Sequence, residues 1–276
     1  MKDFNPHSPA SPRILATDLD GTLIPLPENK QNTEDLKLIH AQHADGRLPL
    51  IYATGRHYES VLEAIGQYRL PTPEWIICDV GSRIFRRSGC DYAPFDPYEV
   101  HLNELVGGSD RKTVEALLEG LEGLQFQQPD HQTAHKISYQ CEAGRVETLI
   151  AEVKLRLEAA QAPYSGMGSL DPFLNIGLID VLPGSVNKAY ALRWLATHAD
   201  FTPEEVVYSG DSGNDEAALS CGFSAIIVGN ASVGLADRVR QHLAAVNQED
   251  RLFCSTQKAT SGVLEGIRHF GLLPGA

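Results

Sequence analysis

Short apolar runs rich in valine and isoleucine alternate along the chain with stretches whose apolar positions recur at helical spacing. The runs at Arg13–Thr17, Leu48–Ala53, Trp75–Asp79, Ile176–Leu182, Glu205–Ser209 and Ser224–Val228 predict six strands. Most are nearly unbroken apolar sequence, as expected of parallel strands covered on both faces. Thr33–Asp45 and His57–Tyr68 predict amphipathic helices between them. At "TPEEVV", Thr202 as N-cap, Pro203 at N1 and Glu205 at N3 predict a short capped turn. Strands alternating with helices give an α/β fold, a doubly wound, Rossmann-like parallel sheet.

Residues 86–174 interrupt this alternation with signals of their own. Ser109–Leu121 and Arg145–Ala160 have helical periodicity, and "HKISYQC" (135–141) has strand character. A structureless loop of that length is improbable, so the pattern predicts a smaller α+β cap domain inserted into the core. The expected organisation is a tail at 1–12, a core at 13–85 and 175–276, and a cap at 86–174. The tail, "MKDFNPHSPASP", holds three prolines and no apolar h-region, so it reads as flexible and not as a signal peptide.

Each predicted strand runs into a polar loop. These are "TDLDGT" (17–22), "ATGR" (53–56), "CDVGS" (78–82), "DVLPGSVNK" (180–188), "SGDSGND" (209–215) and "VGNA" (228–231). Strand C-termini converge on one edge of a parallel sheet, and ligands bind there. Asp18, Asp20, Thr54, Lys188, Asp211 and Asp215 therefore share one predicted cleft. Clustered carboxylates repel one another unless a divalent cation sits among them, and an all-oxygen set suits Mg²⁺, which keeps waters free for phosphate. A carboxylate can attack phosphorus directly. A second carboxylate two residues on can protonate the leaving oxygen and then activate water. A threonine hydroxyl and a lysine suit phosphate oxygens.

The ordered set resembles the haloacid-dehalogenase superfamily of phosphohydrolases. The first motif is similar to "DLDGTL" (18–23), the second to "ATGR" with Thr54 and Gly55, the third to Lys188, the fourth to "GDSGND" (210–215). The resemblance implies Asp18 as nucleophile and Asp20 as acid/base. It implies Mg²⁺ on Asp18, Asp211 and the Asp20 carbonyl, supported by Asp215, with Thr54, Gly55, Lys188 and Asn214 on the phosphoryl group. Thirty-three residues lie between Asp20 and Thr54, too few for a large cap there. The insertion after the second motif resembles the branch with a C2-type cap. "HKISY" and "TSGVLEGIRHFGLL" (260–273) resemble the sucrose-phosphate phosphatase group, which includes mannosylfructose-phosphate phosphatase. That resemblance implies sugar binding by His135 and Lys136. "VGSRI" (80–84) departs from the group's usual "VGTEI" and places Arg83 by the sugar pocket.

The expected activity is Mg²⁺-dependent hydrolysis of a sugar phosphate such as sucrose 6-phosphate. The alternatives are another sugar or polyol phosphate (mannosylfructose-phosphate, glucosylglycerol-phosphate or a hexose phosphate) or a non-catalytic sensor. A phosphomutase would need its cap between the first two motifs. A net charge of −13 argues against broad binding to nucleic acid or anionic membrane. No apolar run approaches the ~20 residues of a membrane helix. Five cysteines without a C-x-x-C suggest reduced thiols and a cytoplasmic location. The ten histidines show no metal-ligand spacing. A glycosyltransferase or synthase is the partner class the resemblance suggests.

Overall fold

A computed structural model describes residues 13–171, 175–199 and 201–273; the predicted tail at 1–12 lies outside the described residues. The strands are β1 (Ile14–Thr17), β2 (Leu50–Ala53), β3 (Trp75–Cys78), β4 (Arg83–Ser88), β5 (Asp91–Pro94), β6 (Gln125–Phe126), β7 (Ile137–Glu142), β8 (Tyr164–Asp171), β9 (Ile176–Pro183), β10 (Val206–Gly210), β11 (Ser224–Ile227) and β12 (Leu252–Cys254). The helices are α1 (Lys30–Ala44), α2 (Tyr58–Tyr68), α3 (Asp96–Val106), α4 (Arg111–Leu118), α5 (Val146–Ala159), α6 (Lys188–His198), α7 (Glu216–Leu219), α8 (Leu235–Ala245) and α9 (Ala259–His269).

Eight strands form one sheet in the order β12-β11-β10-β1-β2-β3-β4-β5. Its first six members run parallel, and the β4–β5 hairpin closes the edge antiparallel. Successive residues of each parallel strand face opposite layers. Ala16, Ile51, Ile77 and Tyr208 pack with Leu192 and Leu195 of α6 and Leu102 of α3. Leu15, Tyr52, Ile76 and Val207 pack with Ile39 of α1, Val61 of α2 and Val263 of α9. Two buried faces explain why these strands read as continuous apolar runs.

The other four strands form a separate antiparallel sheet, β6-β7-β9-β8. Its apolar side, with Ile137, Tyr139, Ile179 and Val181, packs on Val114 of α4 and Leu149 and Val153 of α5. The sequence expectation of a parallel core strand at Ile176–Leu182 is therefore corrected. That segment pairs antiparallel with β7 and β8. Strand pairing puts β4 and β5 in the larger sheet and β9 in the smaller one. Lys188 does not end a core strand. It opens α6, where the chain returns from the smaller sheet to the larger one, with Asn187 as N-cap accepting from the Tyr190 amide at 2.9 Å. The turn at Pro203–Glu205 forms, and Glu205 accepts from the Thr202 amide at 2.9 Å. Among the described residues no helix is long and apolar enough to cross a membrane.

Candidate active site

The C-terminal ends of β1, β2, β3 and β10 lie side by side in the sheet. The β1 loop turns at Gly21 (φ 74°), where an added Cβ would stand 2.4 Å from Asp211 Oδ2, so a side chain here would fall on the Asp211 carboxylate. Thr22 donates to Asp211 Oδ1 at 3.0 Å. Glycine at 21 thus lets the first and fourth motifs meet.

Lys188 is fully buried, and its ammonium donates to Asp18 Oδ1 at 2.8 Å, Asp215 Oδ1 at 2.8 Å and Asn214 Oδ1 at 2.9 Å. All three ammonium protons are thereby matched. Asp215 also accepts from the Tyr208 hydroxyl at 2.6 Å, and its Oδ2 accepts from the Asp211 and Ser212 amides at 3.1 Å each. Asp215 is saturated with donors and shapes the loop around Asp211. Asp18 and Asp211 keep one oxygen each outside these bonds.

Asp18, Asp211 and Asp215 offer carboxylate oxygens that lie within 4.8 Å of one another. The cost of that crowding is visible in their acidities. Burial pushes the Asp18 carboxyl well above its usual range; Lys188 opposes the rise, and Asp215 and Asp211 add to it. Burial, with Asp215 next, pushes Asp211 to about 6. Burial pulls Lys188 down, but Asp18 and Asp215 more than reverse this and hold it above its ordinary value. A hard, all-oxygen donor set under this strain fits a Mg²⁺-class cation.

Asp20 is gripped at both oxygens by Arg56, whose Nε and Nη2 each lie at 2.6 Å. Arg56 is braced in turn by Ser60 Oγ at 2.9 Å. Thr54 is buried, and its hydroxyl accepts from the Arg56 amide at 3.2 Å. An added Cβ on Gly55 would stand 3.8 Å from Asn214 Nδ2, so this glycine borders the Lys188 cluster. Sequence reasoning assigned no role to Arg56 or Tyr208. The usable signal for Arg56 was a single guanidinium within a set of acidic loops.

The three residues expected to read the sugar do not join this cluster. Lys136 is buried, and its ammonium lies 2.9 Å from Asp79 Oδ1 in the turn after β3. Burial pulls Lys136 down, and Asp180 and Asp79 hold it above its ordinary value. Arg83 lies over the Phe85 ring at 4.6 Å and 3.8 Å from Asp79 Oδ2. Arg83 and His135 line one cavity of about 320 Å³ with Glu99, Thr133 and Tyr98; Asp18, Asp20, Asp211 and Asp215 do not line it. His135 is buried, and neither ring nitrogen has a hydrogen-bond partner among the described residues.

The turn after β3 joins these parts. Asp79 (φ 52°) and Val80 (φ 60°) are left-handed, a strained state for a β-branched residue costing ~1–3 kcal/mol. Their amides donate to Arg56 O at 2.9 Å and Thr54 O at 3.2 Å, tying the turn to the second motif. At Gly81 (φ 100°) an added Cβ would stand 2.3 Å from Asn187 O, so the turn lies directly against the start of α6.

Residues 11–271 match the family described as sucrose-6F-phosphate phosphohydrolase. The chain belongs to that family. Its reaction class is therefore sugar-phosphate hydrolysis. Mannosylfructose-phosphate phosphatase of Agrobacterium fabrum is 31% identical over 265 residues, 95% of this chain and 98% of that protein. The sucrose-phosphatase of Synechocystis, solved with sucrose and phosphate, superposes with a TM-score of 0.76 at 27% identity, covering 95% and 98% of the two chains. A haloacid-dehalogenase-like hydrolase of Bacillus subtilis shares the fold at 19% identity, TM-score 0.65, over 96% and 94%.

Proposed function

We propose that this family member is a Mg²⁺-dependent phosphatase acting on a phosphorylated disaccharide such as sucrose 6-phosphate or mannosylfructose-phosphate, in the cytoplasm. The observation that carries the reaction is the Lys188 ammonium buried among Asp18, Asp215 and Asn214, beside the free oxygens of Asp18 and Asp211. The names of the two similar phosphatases support the substrate class.

Asp18 attacks phosphorus, forming a carboxyl–phosphate bond as the bond to the sugar oxygen breaks. Asp20 gives its proton to that oxygen. Asp20 then takes a proton from water, the water oxygen attacks phosphorus, and Asp18 leaves as carboxylate, freeing phosphate. Arg56 occupies both Asp20 oxygens, so Asp20 must leave this grip for one of them to reach the sugar oxygen. Lys188, Thr54, Gly55 and Asn214 hold the phosphoryl group. Asp18, Asp211 and the Asp20 carbonyl would hold Mg²⁺, with Asp215 positioning Asp211. Mg²⁺ supplies neutralising charge between an anionic nucleophile and a phosphate dianion.

The cradle grips only the phosphoryl group, so choice among sugars falls to the inserted unit. His135 and Arg83 read the sugar; the bare imidazole nitrogens of His135 support this. Lys136 acts through Asp79. A glycosyltransferase or synthase would supply the phosphorylated disaccharide, and association with it belongs to the same reading. The test is phosphate release from a panel of hexose and disaccharide phosphates, with and without chelator. Fastest turnover on a disaccharide phosphate, abolished by chelator, is expected. Preference for hexose monophosphates would overturn the substrate, and full activity in chelator would overturn the mechanism.

A further inference from the structure

The described residues hold a second group of metal-ligating side chains, away from the acidic cluster. His57, Asp130 and His131 offer donor atoms that all lie within 4.8 Å of one another. His57 is the N-cap of α2 and directly follows Arg56, which grips Asp20. Asp130 and His131 come from the turn Pro129–His131 that leads into the smaller sheet. The group therefore spans the two units at the second motif. The two imidazoles meet edge-on, with ring centroids 5.3 Å apart and planes at 79°.

Both sides of the group are braced. His57 Nδ1 is engaged on its own element, with Glu59 Oε2 at 3.2 Å and the Ser60 amide at 3.4 Å. A carboxylate on one ring nitrogen is what orients a metal-ligating histidine and leaves its other nitrogen for the ion. His131 is fixed through its backbone: its amide donates to Gln128 O at 3.0 Å, and its carbonyl accepts from Ser138 Oγ at 3.1 Å. Both histidines are half-buried.

Two imidazoles and one carboxylate are the donor set of Zn²⁺ and its neighbours, with a fourth tetrahedral position left for water. The all-oxygen Asp18–Asp211 site prefers a different class of cation. We propose that His57, Asp130 and His131 form a site for Zn²⁺, or a transition-metal cation of its class, that latches the inserted unit onto the larger one. An ion held there bonds to both units at once. It opposes their separation, so it slows exchange of substrate and product.

Co²⁺ tests the site directly, because a tetrahedral histidine site gives strong visible absorption. The full chain is titrated with Co²⁺ in excess Mg²⁺ without substrate, so the readout does not depend on the phosphatase reading. One tetrahedral Co²⁺ per chain is expected. His131→Gln and Asp130→Asn should abolish the tetrahedral spectrum with unchanged melting temperature, and Glu59→Gln should weaken binding about tenfold or more. Zn²⁺ should inhibit phosphate release by the wild type and spare His131→Gln. A tetrahedral spectrum identical in wild type and His131→Gln, or none in the wild type, would overturn the site. Equal Zn²⁺ inhibition of both proteins would overturn the latch.

Discussion

Asp18 and Asp20 stand two residues apart yet meet opposite surroundings. Asp18 is buried against Lys188; Asp20 reaches the half-exposed side of the loop and meets Arg56. If Asp20 is the acid and base, Asp20→Asn loses about 10²–10⁴-fold in kcat. The loss should shrink for p-nitrophenyl phosphate, whose leaving group needs no proton. Equal losses on that ester and on a sugar phosphate would show that Asp20 acts only through structure. Asp211 makes a pH argument. Its carboxyl is pushed to about 6, above the ordinary value of 3.8, first by burial and then by Asp215. Protons therefore compete with the cation below about pH 6, and apparent Mg²⁺ affinity should fall roughly tenfold per pH unit there. A raised folded-state value also means that ionising Asp211 destabilises the metal-free fold as pH rises from about 4 through 6. Asp211→Asn keeps an acceptor for Thr22 and removes that charge. The metal-free variant should melt higher than the wild type at pH 7.5 while its Mg²⁺ binding is lost, read by scanning calorimetry and titration calorimetry.

At the scale of elements, the turn after β3 and the first turn of α6 form one unit. Gly81 is left-handed, and the atom an alanine would meet is a main-chain oxygen, that of Asn187. Backbone cannot rotate out of the way as a side-chain tip does. Gly81→Ala must displace either the turn or α6, and Lys188 moves with the latter. It should lower both melting temperature and kcat, the latter by at least about tenfold. Gly46 is also left-handed but has nothing within 4 Å of an added Cβ. Gly46→Ala should cost ~1 kcal/mol of stability and leave kcat alone, which separates backbone strain from damage to the site. In the larger sheet, β1, β2, β3, β10 and β11 were legible in sequence because burial on both faces makes them nearly unbroken apolar runs, whereas the three-residue β12, partly buried at Leu252 and Phe253 and exposed at Cys254, was not. The strand at Ile176–Pro183 was legible as a strand and not as a member of its sheet, since periodicity does not reveal a partner. Asp180 in its middle was the available cue: a strand of the larger sheet, buried on both faces, has no place for it. The β4–β5 hairpin, with Arg86, Arg87 and Ser88 exposed, carried too little apolar signal to be read. The four motifs of the candidate site were readable because each is local. Arg56 on Asp20 and Lys136 on Asp79 are contacts between distant segments, and so are His57 and His131.

Across the whole molecule, the Lys136–Asp79 pair bears on how the two units communicate. The sequence resemblance makes Lys136 a sugar ligand, and on that view Lys136→Ala would harm only substrates with a sugar. The structure gives its ammonium a buried partner on the turn that also touches Thr54, Arg56 and α6. Removing one member of a buried pair strands the other charge, at ~3–5 kcal/mol, whereas replacing both with apolar groups is often neutral. Lys136→Met should therefore destabilise the protein and slow p-nitrophenyl phosphate and disaccharide phosphate together. Asp79→Asn combined with Lys136→Met should recover part of the stability, because the pair then carries no charge and asparagine tolerates the left-handed backbone at 79. His135→Ala is the contrasting case. Its ring nitrogens have no hydrogen-bond partner among the described residues, so its removal breaks no side-chain hydrogen bond there. If His135 reads the sugar, its loss should cost at least about tenfold in kcat/KM for a disaccharide phosphate and leave p-nitrophenyl phosphate unchanged. Parallel kinetics on both substrates for the three variants, with melting curves, decide the matter. A selective effect from Lys136→Met with an unchanged melting temperature would show that its ammonium leaves Asp79 to bind the sugar.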